Sequence, residues 1–516
     1  MINLPKFNKL TRLGMGIAAA AVIATGVSVG ANAPAKAADD NLVIAFQADV
    51  PSWDPSINFP TGQGIYKSVF DAPLAQDDKL GYIPHVVTKW GYADGDPMTM
   101  HIEMRDDVYF HNGDHMTMED IKFSFFDRAQ DKEHPIDFAG VWGAFKDFAI
   151  TSPTTATITF NYPMATVQEW WNFLGSYIVP KKYYMEVGHE EFIKNPIGSG
   201  PYKLADYQRG SRIVLEANDN YWGGAPKIKH VTFQIITDEP ARVAAVQSGN
   251  ADVAVSVPIR EAIRLDAEDG LTGHITPYTH VYYLQIASKG VMMDDNVRAA
   301  MHLAIDKKAI SERLFNGKAP PLSLTVPKWS SGSVDDYEYP YDPEKAKEML
   351  AKSGYSADNP VTFSFFTTSG SFANDFDMAR AISGMWKKVG IDAVPEVIEL
   401  SKYYELNNTE NQPDAFMYNW DNSTGDPEIF TGYMMHPDLP FGSWRTEEIG
   451  EIVRGLFTET DYAKRIQGYK DLNIKVASES KAIPLLQAVN TVVHKDSVSF
   501  TPIPQGWVMP YFMEKK

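Results

Sequence analysis

Cysteine is absent from all 516 residues, and that absence removes three kinds of chemistry at once. No disulfide can form, no thiol can act as nucleophile, and no thiolate can ligate a metal. Positive charge is scarce too: 47 Lys and Arg stand against 66 Asp and Glu, a formal net charge of −19. A surface of that sign repels nucleic acid and anionic membrane, so neither is expected as a partner. Long apolar runs are confined to the N-terminus, and nothing after it reads as a transmembrane helix. A phosphate-cradling Gly-rich loop, a nucleophile elbow and a His-Glu-x-x-His motif are all missing.

What is present begins with an address. Lys6, Lys9 and Arg12 stand in the first 12 residues without an acid, and Leu13 to Ala35 carries no charge. The stretch ends in Ala35-Lys36-Ala37, a small-x-small cleavage pattern, so residues 1–37 read as a secretory signal peptide cleaved after Ala37. A cut after Ala33 would put Pro34 first in the mature chain, and an uncleaved anchor would need a richer Leu and Ile content. No Cys follows for lipid attachment, and Arg12 has no neighbouring arginine for the twin-arginine route. Removing these residues leaves 66 acids against 43 bases. The expected product is a soluble, monomeric periplasmic protein without stable membrane insertion.

About 480 mature residues require more than one core. The pattern is mixed α/β. Leu42–Phe46, 98–104, 156–160 and 231–236 read as strands. Asp238-Glu239-Pro240 opens a helix that stops at Gly249, and Asp252–Val255 is the next strand, a parallel crossover unit. A helix is expected from Asp294 to Phe315, with Val297, Met301, Ala304 and Ile305 on one face. Asp342-Pro343 starts another helix, with Ala346, Met349 and Leu350 as its apolar stripe and Gly354 at its C-cap.

Several segments together resemble a family. Met104-Arg105-Asp106-Asp107-Val108-Tyr109-Phe110-His111-Asn112-Gly113 runs on into Met116–Ser124. Gly198-Ser199-Gly200-Pro201-Tyr202, Asn220-Tyr221-Trp222, Gln247–Asp252, Asn296-Val297-Arg298, Ala304-Ile305-Asp306 and Tyr341-Asp342-Pro343 follow in order. From about residue 40 to the end, the chain resembles the extracellular solute-binding proteins, family 5, of peptide- and nickel-type ABC importers. The resemblance implies an α/β, two-lobed periplasmic-binding-protein fold of class II type, with an extra subdomain inserted in lobe I. It places lobe I at 38–77, 200–285 and 482–516, the inserted subdomain at 78–199 and lobe II at 286–481. It also implies a small-molecule solute held in the interlobe cleft and delivered to the transmembrane subunits of an ABC permease.

The expected ligand contacts are Trp420, Asp421, Asn422 and Ser423, with Trp53 and Tyr282. Peptide-binding relatives have a similar Trp-x-x-Asp-x-x-Asp-Pro segment whose first Asp pairs with the peptide ammonium. Here Ser423 takes that place between Trp420 and Asp426-Pro427, and a hydroxyl cannot supply the charge-assisted bond. Asp421 or Asn422 could substitute; equally, the segment could be a turn carrying a core Trp. Trp53 follows the first strand, where relatives touch ligand, and alternates with a reading as a buried ring under a surface turn. Of Tyr282 and Tyr283, one should face the core and one outward, because side chains alternate along a strand. Trp170-Trp171 reads as core packing.

The motifs that could suggest an enzyme are incomplete. Ser478-x-x-Lys481 has the spacing of a serine acylase but no Lys-Thr-Gly partner. His111, Asp114 and His115 lack a third anchored ligand and read as a solvated loop. No catalytic residue, metal or cofactor is therefore assigned. The function expected is that of a receptor for an oligopeptide or a peptide-like, opine-like compound. An oligosaccharide or metal complex is the alternative cargo, and a secreted hydrolase or chaperone-like binder the alternative class.

Overall fold

The computed structural model describes residues 41–516 apart from Asn58, Asn408, Glu410, Pro440 and Phe441. The signal-peptide reading of residues 1–37 lies outside the described residues. Strand β1 (Asn41–Phe46) is followed by a hairpin of β2 (Leu74–Gln76) and β3 (Tyr82–Pro84). Next come β4 (Val87–Ala93), β5 (Asp96–Met104), β6 (Phe145–Ser152) and β7 (Thr155–Phe160), which form a separate antiparallel sheet in the order β4-β5-β7-β6. The strands that follow are β8 (Tyr202–Gln208), β9 (Arg212–Ala217), β10 (His230–Ile235), β11 (Val253–Val255) and the long β12 (Leu271–Ile286). β13 (Phe365–Thr367), β14 (Pro395–Val397), β15 (Ala415–Trp420) and β16 (Ala482–Lys495) come last. They join β1 in one sheet of ten strands, ordered β14-β13-β15-β12-β16-β11-β1-β10-β9-β8.

The crossover read from the sequence is present. β10 and β11 both lie parallel to β1, on either side of it, and helix Glu239–Gln247 connects them. Asp238 caps that helix through the amide of Ala241, and Gly249 ends the segment at φ +81°. Such a left-handed turn costs a glycine little. Helix Pro343–Lys352 is likewise capped by Asp342 on the amide of Lys345.

The helix expected over 294–315 is two helices, Asp295–Leu303 and Lys307–Phe315. Asp306 breaks it, because its side chain accepts the Ala309 amide and so starts a new helix. Val297, Met301, Ala304 and Ile305 are all buried as expected. The expectation for Tyr282 and Tyr283 needs correction, since both are buried. They do alternate, but Tyr282 packs on Phe315 and Tyr283 on Tyr418, so protein covers both faces of the strand.

Buried side chains fall into distinct cores. The largest runs from Val281 to Ala488 and takes in β13, β15 and most of the helices after residue 290. A second joins β1, helix Gln63–Val69, β9, β10 and the C-terminal Val508 and Met513. A third lies between Leu74 and Ile178 and includes Trp170 and Trp171. β12 and β16 pair antiparallel over almost their whole length, from Leu271↔Lys495 to Gln285↔Ala482. They run out of the largest core into the others: Val281–Ile286 pack in the first, while Leu271 and Ile275 pack beside helix Glu239–Gln247.

Candidate functional site

β15 is buried at every residue and delivers the loop 421–427 to the edge of the largest core. Trp420 is anchored there, its indole Nε1 donating to the Ile429 carbonyl at 2.6 Å. Asn422 is the hub of the loop. Its Oδ1 accepts from the Thr424 amide at 3.0 Å, the Thr424 hydroxyl at 2.6 Å and the Gly425 amide at 3.1 Å, and its Nδ2 donates to the Asp426 carbonyl at 2.7 Å. An asparagine with all these partners and no exposed surface organises the turn. Gly425 sits at φ +73°, and a Cβ there would come within 2.4 Å of Leu80 Cδ1. The turn therefore requires glycine for its conformation, and a side chain there would also displace the tip of Leu80.

The neighbouring candidates differ. Asp421 lies 2.8 Å from His280 on β12, whose ring stacks on Tyr278 with centroids 4.2 Å apart. Ser423 is buried, and its hydroxyl has no hydrogen-bond partner among the described residues; the same is true of Asn419 Oδ1. Tyr282 pairs with Asn419 across the strands, and burial followed by the charge of Asp375 pushes its phenol well up. The structure thus gathers Tyr282, Trp420, Asp421, Asn422 and Ser423 on adjoining strands and one loop. Trp53 belongs to the second core, against Tyr66 and Tyr207 at 6.5 and 5.7 Å, with its Nε1 unpaired among the described residues.

Across the loop stands a second wall that the residue patterns did not point to. Gln76 Nε2 donates to the Thr424 carbonyl at 2.9 Å, and Thr166 donates to Glu428 at 2.6 Å. Trp170 packs on Tyr433 with centroids 5.7 Å apart, and Ile429 inserts into the core of residues 74–178. Below the loop, Arg465 binds Asp426 through both terminal nitrogens and reaches Glu428 at 3.3 Å. Glu169 approaches the same cluster from the other side, fully buried. Burial pushes the Glu428 carboxyl up to about 7, against the pull of Arg465 and with a further push from Asp426. Glu169 is driven well above the ordinary range by burial and then by Asp426. Between these walls lies a cavity of about 500 Å³, bordered by Tyr82, Trp90, Glu169, Trp329, Asp426 and Tyr462. Asp426-Pro427 was visible as a motif. Its partner Arg465 is 39 residues away, and Glu169 more than 250, so no local spacing could have found either.

The residues weighed for catalysis have other occupations. Ser478 donates to the Lys475 carbonyl at 3.2 Å, and Lys481 pairs with Glu479. His111 is not in a solvated loop as expected: its Nε2 meets the Gly200 carbonyl at 3.0 Å and the Gly198 amide donates to its Nδ1 at 3.3 Å. Burial lowers its pKa to about 4, so it serves as a neutral joint between two chain segments. Among the described residues, no group of three or more His, Asp or Glu is placed to hold a metal ion.

Separate cores bridged by long shared strands, with a polar and aromatic cavity between facing walls, give an arrangement suited to holding a small molecule. A family model described as bacterial extracellular solute-binding proteins, family 5 Middle, matches residues 81–439, and the chain belongs to that family. The dipeptide-binding protein of Escherichia coli (strain K12) is 25% identical over 455 residues, covering 82% of this chain and 84% of the relative. Glutathione-binding protein GsiB of Escherichia coli O6:K15:H31 (strain 536 / UPEC) is 25% identical over 516 residues, 95% of this chain and 96% of its own. Among solved structures, NikA from Brucella suis in complex with Fe(III)-EDTA superposes with a TM-score of 0.82 at 19% identity, over 92% of this chain and 100% of its own. The fold is the α/β, two-lobed fold of the periplasmic binding proteins, and the chain is a substrate-binding protein of the ABC-importer type. Among the described residues no helix is long and apolar enough to cross a membrane.

Proposed function

We propose that this chain is a periplasmic receptor, released by cleavage after Ala37, that captures a small solute between its lobes as a monomer and presents it to an ABC permease. The cargo is an oligopeptide or a peptide-like, opine-like compound. Lobe I comprises about 38–77, 200–285 and 482–516, the inserted subdomain 78–199, and lobe II 286–481. The observation that carries the reading is the β12–β16 pair, which is shared between cores and is the geometry of a hinge. Trp420, Asp421, Asn422 and Ser423 form the lobe II side of the ligand site, and Trp53 and Tyr282 serve the lobe I side. Asn422 acts there by holding the loop, and Ser423 and Asn419 offer buried polar atoms free to meet a ligand. The chemistry is binding without turnover, and the named relatives are called binding proteins.

A thermal-shift screen of residues 38–516 against peptides, opines, oligosaccharides and metal chelates tests this, with native mass spectrometry of the unwashed protein alongside. A ligand at 100 times its Kd should stabilise the native state by about 2.7 kcal/mol and emerge chemically unchanged. If no class stabilises it, or if a bound compound is converted to product, the receptor reading fails.

A further inference from the structure

The cavity of about 500 Å³ has a chemistry of its own. Glu169 is held in one orientation: Gln168 Nε2 donates to its Oε1 at 3.2 Å, while Gln168 Oε1 accepts the Trp90 indole N–H at 3.1 Å. Its other oxygen, Oε2, is buried and has no hydrogen bond among the described residues. The guanidinium nearby is already engaged, since Arg465 bonds to Asp426 and Glu428. Three carboxyl groups therefore share one buried cation. Lys79 borders the cavity as well, but it is exposed to solvent. A buried carboxyl oxygen without a partner is costly, and a ligand N–H placed on it would remove that cost.

The remaining walls favour the same kind of guest. Trp90 and Tyr82 stand on one side, and Trp329 and Tyr462 on the other, the last two 44% and 56% exposed. Aromatic faces attract organic cations through their quadrupoles. The volume falls within the range of small-molecule sites. An anionic guest would meet Asp426 unfavourably, and a bare metal ion would find no group of three ligands among the described residues.

We propose that this cavity binds an organic ammonium, a primary amine or quaternary cation with an apolar body, through Glu169 and the rings of Trp90 and Trp329. The inference rests on the receptor reading: the cavity joins the loop of Trp420–Ser423 through Thr424, Gly425 and Asp426, and it specifies the class of the cargo's charged end. Burial and Asp426 raise the Glu169 carboxyl, so a bound cation must displace a proton, and binding tightens as pH rises.

The test uses the mature chain with phenethylamine and benzyltrimethylammonium as probes, against neutral 2-phenylethanol and anionic phenylacetate. The two cations should raise Tm by about 2 °C or more at saturation, and the other two should not. In calorimetric titration, Glu169→Gln should weaken the cations about tenfold to hundredfold. Trp329→Leu, at a ring 44% exposed, should weaken them about two- to fivefold. Equal response to cation, neutral and anion, or undiminished cation binding in both variants, overturns the inference. Peptides or chelates binding alike to wild type and Glu169→Gln while the cations fail would overturn this inference alone. Failure of every class would overturn the receptor reading with it.

Discussion

Asp54 and Arg128 illustrate how single residues tie the chain together. Both are 3% exposed, and the Arg128 guanidinium bonds to Asp54 at 2.5 Å while Ser56 supplies both its amide and its hydroxyl to the same carboxylate. Burial alone would raise the Asp54 carboxyl, but Arg128 and the Ser56 bonds together hold it below the ordinary value. A depressed folded pKa gives stability that is present above the unfolded value near 3.9 and lost as pH falls through the folded one. Asp54→Asn should leave Arg128 buried without its counter-charge and cost about 3–5 kcal/mol, read from urea denaturation at neutral pH. The loop 421–427 offers a contrast. Asn422→Ala removes the acceptor of three hydrogen bonds and should cost about 1–3 kcal/mol. Ser423→Ala removes an oxygen with no partner among the described residues, so stability should stay within about 0.5 kcal/mol. If Ser423 touches cargo, solute affinity should fall in that variant while the denaturation midpoint does not. An unchanged affinity would remove Ser423 from the site.

At the scale of elements, what could be read in the sequence was what depends on near neighbours. The crossover from β10 to β11, the caps at Asp238 and Asp342 and the apolar faces after residue 294 all rest on spacings of a few residues, and all are present. The break at Asp306 is not legible in the sequence because the apolar periodicity continues through it. A capping aspartate inside a continuous stripe overrides the stripe. Asp306→Ala should therefore cost about 1 kcal/mol in chemical denaturation, the ordinary worth of an N-cap; a neutral result would mean the helices are set by packing alone. The burial of His111 is illegible for a related reason. Its motif reads as an exposed turn, and only the return of Gly198–Gly200 from almost 90 residues away covers it. In the site, Trp420 to Asp426 was legible as one segment. The opposite wall of Gln76, Thr166 and Glu169 was not, because residues so far apart meet only when the β2–β3 hairpin and the third core close over the loop.

For the whole molecule, the contact between the walls places Glu428 in an environment that resists its charge. Its carboxyl is fully buried, held by Thr166 at 2.6 Å from one side and by Arg465 from the other, beside Asp426 and opposite Glu169. With a folded value of about 7 and an unfolded value near 4.3, the folded form holds more protons than the unfolded form between those limits. Its contribution to stability is therefore complete below the unfolded value and is lost as pH rises to about 7. His111 acts in the opposite sense: lowered to about 4, it makes the native state more stable as pH climbs towards 6.5. The two trends overlap, so the slope of the wild type alone decides nothing, and the difference from Glu428→Gln is the informative quantity. Glutamine keeps an acceptor for Thr166 and cannot titrate. Relative to wild type, the variant should gain stability steadily between pH 5 and pH 7.5 in urea midpoints. The Thr166 bond itself favours the charged carboxyl, but the burial that comes with closure outweighs it, so protonation favours the closed arrangement. The wild-type radius of gyration in solution scattering should therefore be larger at pH 8 than at pH 5.5, and the variant's should not change. A variant that tracks the wild type in both measurements would show that Glu428 does not couple protonation to closure.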